Sequence, residues 1–162
     1  MVIPEVLQTI AEITVTLAGF MGVILAFSSN KVPGSELFFR IAWTFFQCFV
    51  VVVAVLLPYV LVGFSESAHI VWGIPLLFLG VLNLLTIILG LYSIRSGPVQ
   101  AVGRIYNYVL AAISFLFGVS LLLAGFDLVL PRIPEMLILG ALWSTCMGAY
   151  GFVMSIKRGL DS

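Results

Sequence analysis

The sequence predicts an all-α integral membrane protein, a bundle of five transmembrane helices in a single domain over residues 1–162. Of the 162 residues, 62% are hydrophobic and only 9% are charged, and the mean hydropathy is +1.26. A soluble domain is roughly 45–50% apolar and about 25% charged, so this chain has too few charges for a water-facing surface. Five long apolar runs can each cross a bilayer core of about 30 Å as a helix.

Short segments rich in Ser, Gly and Pro separate the apolar runs, because these residues favour turns. The first turn is residues 28–35, the second is Ser65–Ser67, the third contains Gly97, and the fourth runs from Asp127 to Pro134. We expect the first helix to be retained rather than cleaved as a signal peptide, since no basic segment precedes it. The predicted spans, in order, are Pro4–Phe27, Leu37–Phe64, Ala68–Ile94, Val102–Phe126 and Ile133–Ile156.

The basic residues predict the orientation of the chain. If the helices alternate, six of the seven Lys and Arg residues fall on one side of the membrane and only Arg132 falls on the other. Because Lys and Arg accumulate on the cytoplasmic side, we expect the N-terminus outside and the C-terminus in the cytoplasm. The six residues on the predicted cytoplasmic side are Lys31, Arg40, Arg95, Arg104, Lys157 and Arg158.

Polar residues on the first helix form one continuous face, which we call the polar stripe. The opposite face carries Ile10, Ile13, Leu17, Met21 and Ile24. A carboxylate near mid-membrane costs about 2.5–3.5 kcal/mol on the insertion scale, so such a group usually faces water or a polar partner. Glu12 is the residue that most needs this explanation. The stripe consists of Glu5, Gln8, Thr9, Glu12, Thr16 and Gly19.

Two prolines lie at a depth similar to that of Glu12. Pro58 and Pro75 each remove a backbone hydrogen bond and free a carbonyl four residues earlier, at Ala54 and Val71. A carboxylate together with freed carbonyls is the chemistry of a cation or proton site. The alternative is a protonated Glu12 that is hydrogen-bonded to a neighbouring helix, with the prolines serving only the shape of their helices.

Small residues on the last helix predict close helix packing. Gly140, Ser144 and Gly148 recur at every fourth position, a spacing that lets helix backbones approach closely in lipid. We expect this seam to form within one protomer or between protomers.

The sequence offers little of the chemistry that catalysis requires. The one histidine, His69, lies at the outer end of the third predicted span, next to the second turn, and the two cysteines, Cys48 and Cys146, lie inside apolar runs. We find no nucleophile–base pair, no zinc motif and no phosphate-binding loop. We therefore do not expect an enzyme, and we expect no bound cofactor or metal. We also expect no nucleic-acid partner, because binding nucleic acid would require a basic patch.

The segment from Ala11-Glu12-Ile13 through Leu17-Ala18-Gly19-Phe20-Met21-Gly22-Val23 resembles the first helix of small, functionally uncharacterised prokaryotic multi-pass membrane proteins. The resemblance covers about one helix. It implies an acidic, glycine-rich first helix and a multi-pass protein of the prokaryotic inner membrane, and it implies no activity.

Three functions are compatible with these features. The leading hypothesis is a small channel or transporter in which Glu12, Gln8, Thr9 and Thr16 line a path for a cation or proton and Glu5 attracts cations at its mouth. The partners would be the lipid bilayer and further copies of the chain in a homo-oligomer. The second is an accessory subunit whose stripe docks on a partner membrane protein. The third is a module that binds or senses lipid.

Overall fold

The computed structural model describes residues 2–28, 35–96, 101–128 and 134–160. Within these ranges the chain forms five α-helices and no strand, which confirms the predicted fold class. Every helix contains a stretch long and apolar enough to cross a membrane. Lys31, Gly97 and Arg132 lie outside the described residues. The helices are α1 (Val2–Ser28), α2 (Ser35–Val62), α3 (Ala68–Ser96), α4 (Ala101–Gly125) and α5 (Pro134–Leu160).

The turn between α2 and α3 is built from hydrogen bonds of the backbone and one serine side chain. The amide of Ser65 donates to the Leu61 carbonyl (2.9 Å), and the amide of Ser67 donates to the Ser65 hydroxyl oxygen (3.1 Å). The carbonyl of Ser67 then accepts from the amides of Ile70 and Val71. A serine in this position favours a turn because its oxygen satisfies a backbone donor that would otherwise lack a partner.

A Schellman motif ends α4. The amide of Leu128 donates to the Leu123 carbonyl (3.0 Å), and the amide of Asp127 donates to the Ala124 carbonyl (3.1 Å). Asp127 has a positive φ of 58°, the left-handed conformation that this motif requires and that Asp tolerates better than most residues. The motif stops the helix before the segment that joins α4 to α5.

The chain divides into two compact units. The first contains Met1–Leu56 and Ala141–Ser162, and the second contains Leu57–Gly140, so α2 and α5 each contribute residues to both. In the second unit α3 packs against α4. In the first unit α5 contacts α1 through Thr145 and Thr14, and Gly148 and Gly151 of α5 lie beside Cys48 and Thr44 of α2.

Glycines set the register of the α3–α4 pair. A Cβ at Gly80, Gly118 or Gly125 would lie at 3.0, 2.8 or 2.7 Å from a leucine methyl carbon of the other helix. The three contacts share one antiparallel register, since each step forward along α3 matches an equal step backward along α4. The pairs are Leu77 with Gly125, Gly80 with Leu122, and Leu84 with Gly118.

Candidate functional site

The polar stripe of α1 lies on the exposed surface of the protein. Glu5, Gln8, Thr9, Glu12 and Thr16 are all exposed, as is Gly19, which has no atom within 4 Å of the position that a Cβ would occupy. The structure therefore brings the predicted polar residues of α1 together on one face, but it places that face outside the chain's own interior.

Glu12 lies well inside the apolar stretch of α1, which extends over Ile3–Val23 among the described residues. An exposed carboxyl group at this depth is costly in lipid, which is why the stripe is the candidate site.

Three hydrogen bonds connect the residues of the stripe along the helix. The Gln8 side chain donates from Nε2 to Oε1 of Glu12 (2.9 Å). The Thr9 hydroxyl donates to the backbone carbonyl of Glu5 (2.8 Å), and the Thr16 hydroxyl donates to the backbone carbonyl of Glu12 (2.8 Å). Both threonines thus satisfy their own donors within the helix, whereas Gln8 acts directly on the carboxyl group.

The buried face of α1 is apolar except for one threonine. Thr14 is fully buried, donates to the Ile10 carbonyl (2.7 Å), and lies 3.1 Å from the hydroxyl oxygen of Thr145 on α5. The pattern of polar residues does not predict this pair, because Thr14 lies outside the polar stripe. The other buried residues of α1 are Leu7, Ile10, Ala11 and Met21.

Pro58 and Pro75 are both buried inside their helices. They belong to the second unit, whereas Glu12 belongs to the first. Their proximity to Glu12 remains a prediction, and the geometry of the candidate site rests on α1 alone.

The predicted packing residues of α5 are all buried, but their surroundings differ. In the second unit, a Cβ on Gly140 would lie 2.7 Å from Cδ2 of Leu121 and 3.2 Å from Cδ2 of Leu79. In the first unit, a Cβ on Gly148 would lie at an ordinary 3.6 Å from Sγ of Cys48. Ser144 is 9% exposed.

No group of three or more His, Cys, Asp or Glu side chains that could hold a metal ion occurs among the residues that the structure describes. Cys48 is buried and Cys146 is exposed, and both are free thiols. The chemistry available at the stripe is therefore that of two carboxyl groups, Glu5 and Glu12, with amide and hydroxyl neighbours.

The fold and its apolar surface define a multi-pass α-helical membrane protein. The large exposed side chains include Phe20, Phe49, Ile88 and Leu116, which suit a lipid environment. No family model matches the chain, and neither a curated protein nor a solved structure matches it.

Proposed function

We propose that the protein moves a small ion, a cation or a proton, along a polar path lined by α1, with Glu12 as the central group. The observation that carries this proposal is the exposure of the Glu12 carboxyl group within an apolar span. A lipid-facing carboxylate costs about 2.5–3.5 kcal/mol, and water or an ion along the stripe would remove that cost.

Such a path requires more than one copy of the chain. The stripe is exposed, and the residues that α1 buries are almost all apolar. A homo-oligomer in which α1 helices face one another would enclose the stripes and give Glu12 an aqueous or ionic environment. Glu5, near the beginning of α1, would then attract cations to the mouth of the path.

An accessory role is the competing proposal, and the exposure of the stripe supports it as well. A partner membrane protein that presents a Lys or Arg at this depth would neutralise Glu12 and cover the same face.

Flux measurements in liposomes test the leading proposal. We expect the purified protein to conduct protons or monovalent cations, and we expect Glu12→Gln to abolish that flux because the amide has no negative charge to attract a cation and cannot take up and release a proton as a carboxyl group does. Glu135→Gln is the matched control, since Glu135 is an exposed carboxyl on α5 outside the stripe, and it should leave the flux unchanged.

Two outcomes would decide against ion movement. Flux that persists unchanged in Glu12→Gln would remove Glu12 from the mechanism. Co-purification of an unrelated membrane protein in fixed stoichiometry, lost on Glu12→Ala, together with no flux from the purified chain, would favour the accessory role.

A further inference from the structure

The Gln8–Glu12 hydrogen bond is the only side-chain hydrogen bond made to the Glu12 carboxyl group by the described residues. Its donor is Nε2 of Gln8 and its acceptor is Oε1 of Glu12, one helical turn apart and 2.9 Å from each other. The other carboxyl oxygen, Oε2, receives no donor from any residue that the structure describes.

The backbone at Glu12 is also tied down. Its carbonyl accepts the Thr16 hydroxyl as well as the ordinary helical amide. The Glu12 side chain is therefore held by its helical backbone and by the Gln8 hydrogen bond to Oε1. Its second oxygen, Oε2, is free on the exposed face.

This geometry limits what the carboxyl group can bind. Divalent calcium takes six to eight oxygen ligands and often uses both oxygens of one carboxylate. The Gln8 amide points its positive hydrogen at Oε1, where the second metal–oxygen bond would form. A proton needs only one oxygen and can bind at Oε2.

We infer that Gln8 is a positioning residue that leaves Glu12 one free oxygen, so that the site accepts protons and disfavours divalent cations. The inference rests on the proposed function and names the class of ion that the path carries. Glu12 remains the group that touches the ion, and Gln8 acts through it.

The test compares calcium binding in the wild type, Gln8→Leu and Gln8→Asn. Without the amide donor, both oxygens of Glu12 are free, and Gln8→Leu should bind calcium about tenfold more tightly than the wild type. Gln8→Asn retains an amide and should return the affinity towards the wild-type value. Adding Glu12→Gln to Gln8→Leu should abolish the gain.

Infrared spectroscopy of the purified protein gives a readout that does not depend on flux. The difference between wild type and Glu12→Gln isolates the Glu12 carboxylate bands, and the separation of the antisymmetric and symmetric stretches distinguishes one-oxygen from two-oxygen coordination. Calcium should narrow this separation in Gln8→Leu and leave it wide in the wild type.

In liposomes, the same calcium concentrations should block flux through Gln8→Leu and spare the wild type. Ser120→Ala, which removes a hydroxyl that donates to the Leu116 carbonyl on α4, should behave as the wild type. Equal calcium affinity and equal band separation in Gln8→Leu and the wild type would overturn the inference. A wild type without flux, combined with the expected infrared difference, would overturn the proposed function and leave the role of Gln8 intact.

Discussion

In the first unit, the hydroxyl groups of Thr14 and Thr145 can take part in three hydrogen bonds but supply only two protons. Each hydroxyl lies within hydrogen-bond distance of the carbonyl four residues before it, and the two oxygens are 3.1 Å apart. The two hydroxyl protons cannot form all three hydrogen bonds at once. When one threonine donates to the other, it no longer donates to the carbonyl four residues before it. That carbonyl keeps its helical amide, so neither arrangement leaves a buried group without a partner.

Replacing either threonine with valine should therefore cost little. Thr14→Val and Thr145→Val each leave the remaining hydroxyl free to donate to its own carbonyl, and the coupling between them should be about 0.6 kcal/mol, the average for hydrogen bonds within membranes. A double-mutant cycle of unfolding in mixed detergent micelles measures this coupling. A coupling above about 2 kcal/mol would contradict the sharing of protons.

Gly140 and Gly148 should respond differently to the same substitution. Gly140→Ala puts a methyl group 2.7 Å from Leu121 Cδ2, so neighbouring side chains must move and we expect a loss of about 1–3 kcal/mol in the free energy of unfolding. Gly148→Ala meets its nearest atom, Cys48 Sγ, at 3.6 Å and should be neutral or stabilising.

Unfolding titrations of the two alanine variants check this difference, and Gly19→Ala serves as an exposed control with no neighbour within 4 Å. Equal losses at Gly140 and Gly148 would show that the spacing of small residues, rather than the local surroundings, decides the outcome.

At the scale of helices, the α3–α4 pair depends on leucines that fill the space beside glycines. Leu84 lies against Gly118, and Leu122 lies against Gly80, so each helix provides both a large and a small residue. This reciprocity fixes one register, because shifting either helix would bring leucine against leucine. Dispersion contacts of this kind drive helix association where lipid is as apolar as the side chains.

A compensating pair of substitutions tests the register. Gly118→Ala should destabilise the protein by about 1–3 kcal/mol, because the new Cβ would lie 2.8 Å from Leu84 Cδ2. Trimming the partner with Leu84→Val should recover part of that loss in the double variant. Destabilisation that is simply additive would mean that the two residues are not in contact in solution.

At the scale of the whole molecule, five helices among the described residues are long and apolar enough to cross a membrane, and if all five cross it we expect the two termini on opposite sides. Six of the seven basic residues lie on one side of an alternating topology, so we predict a cytoplasmic C-terminus. A fluorescent protein fused to the C-terminus should therefore fluoresce in bacterial cells, and alkaline phosphatase at the same point should be inactive. The reverse pattern would contradict the predicted orientation.

The helix α5 contributes packing residues to both units. α5 contributes Gly140 to the second unit, where it contacts α3 and α4, and Gly148 to the first, where it contacts α2. One helix face thus serves two packing environments along its length.

The class of fold could be predicted from composition, because crossing a bilayer requires only a sufficient length of apolar residues, and that is a local property of the chain. The membership of the polar stripe was also predictable, since a helix repeats every 3.6 residues whatever surrounds it. The end of α4 was predicted as a turn, but its Schellman motif was not, because Asp127 adopts the conformation usually given to glycine.

The spacing of apolar residues in the sequence could not show which side of each helix faces the protein interior. Ile10 and Ile13 share the apolar side of α1, yet Ile10 is buried and Ile13 is 54% exposed. In lipid an exposed isoleucine carries no penalty, so hydropathy does not distinguish the interior from the lipid-facing surface. Contacts between distant segments decide which side is buried. Thr14 packs in the interior of the first unit, where its hydroxyl lies beside that of Thr145. Gly140 has less space around it than Gly148 because Leu121 lies beside it.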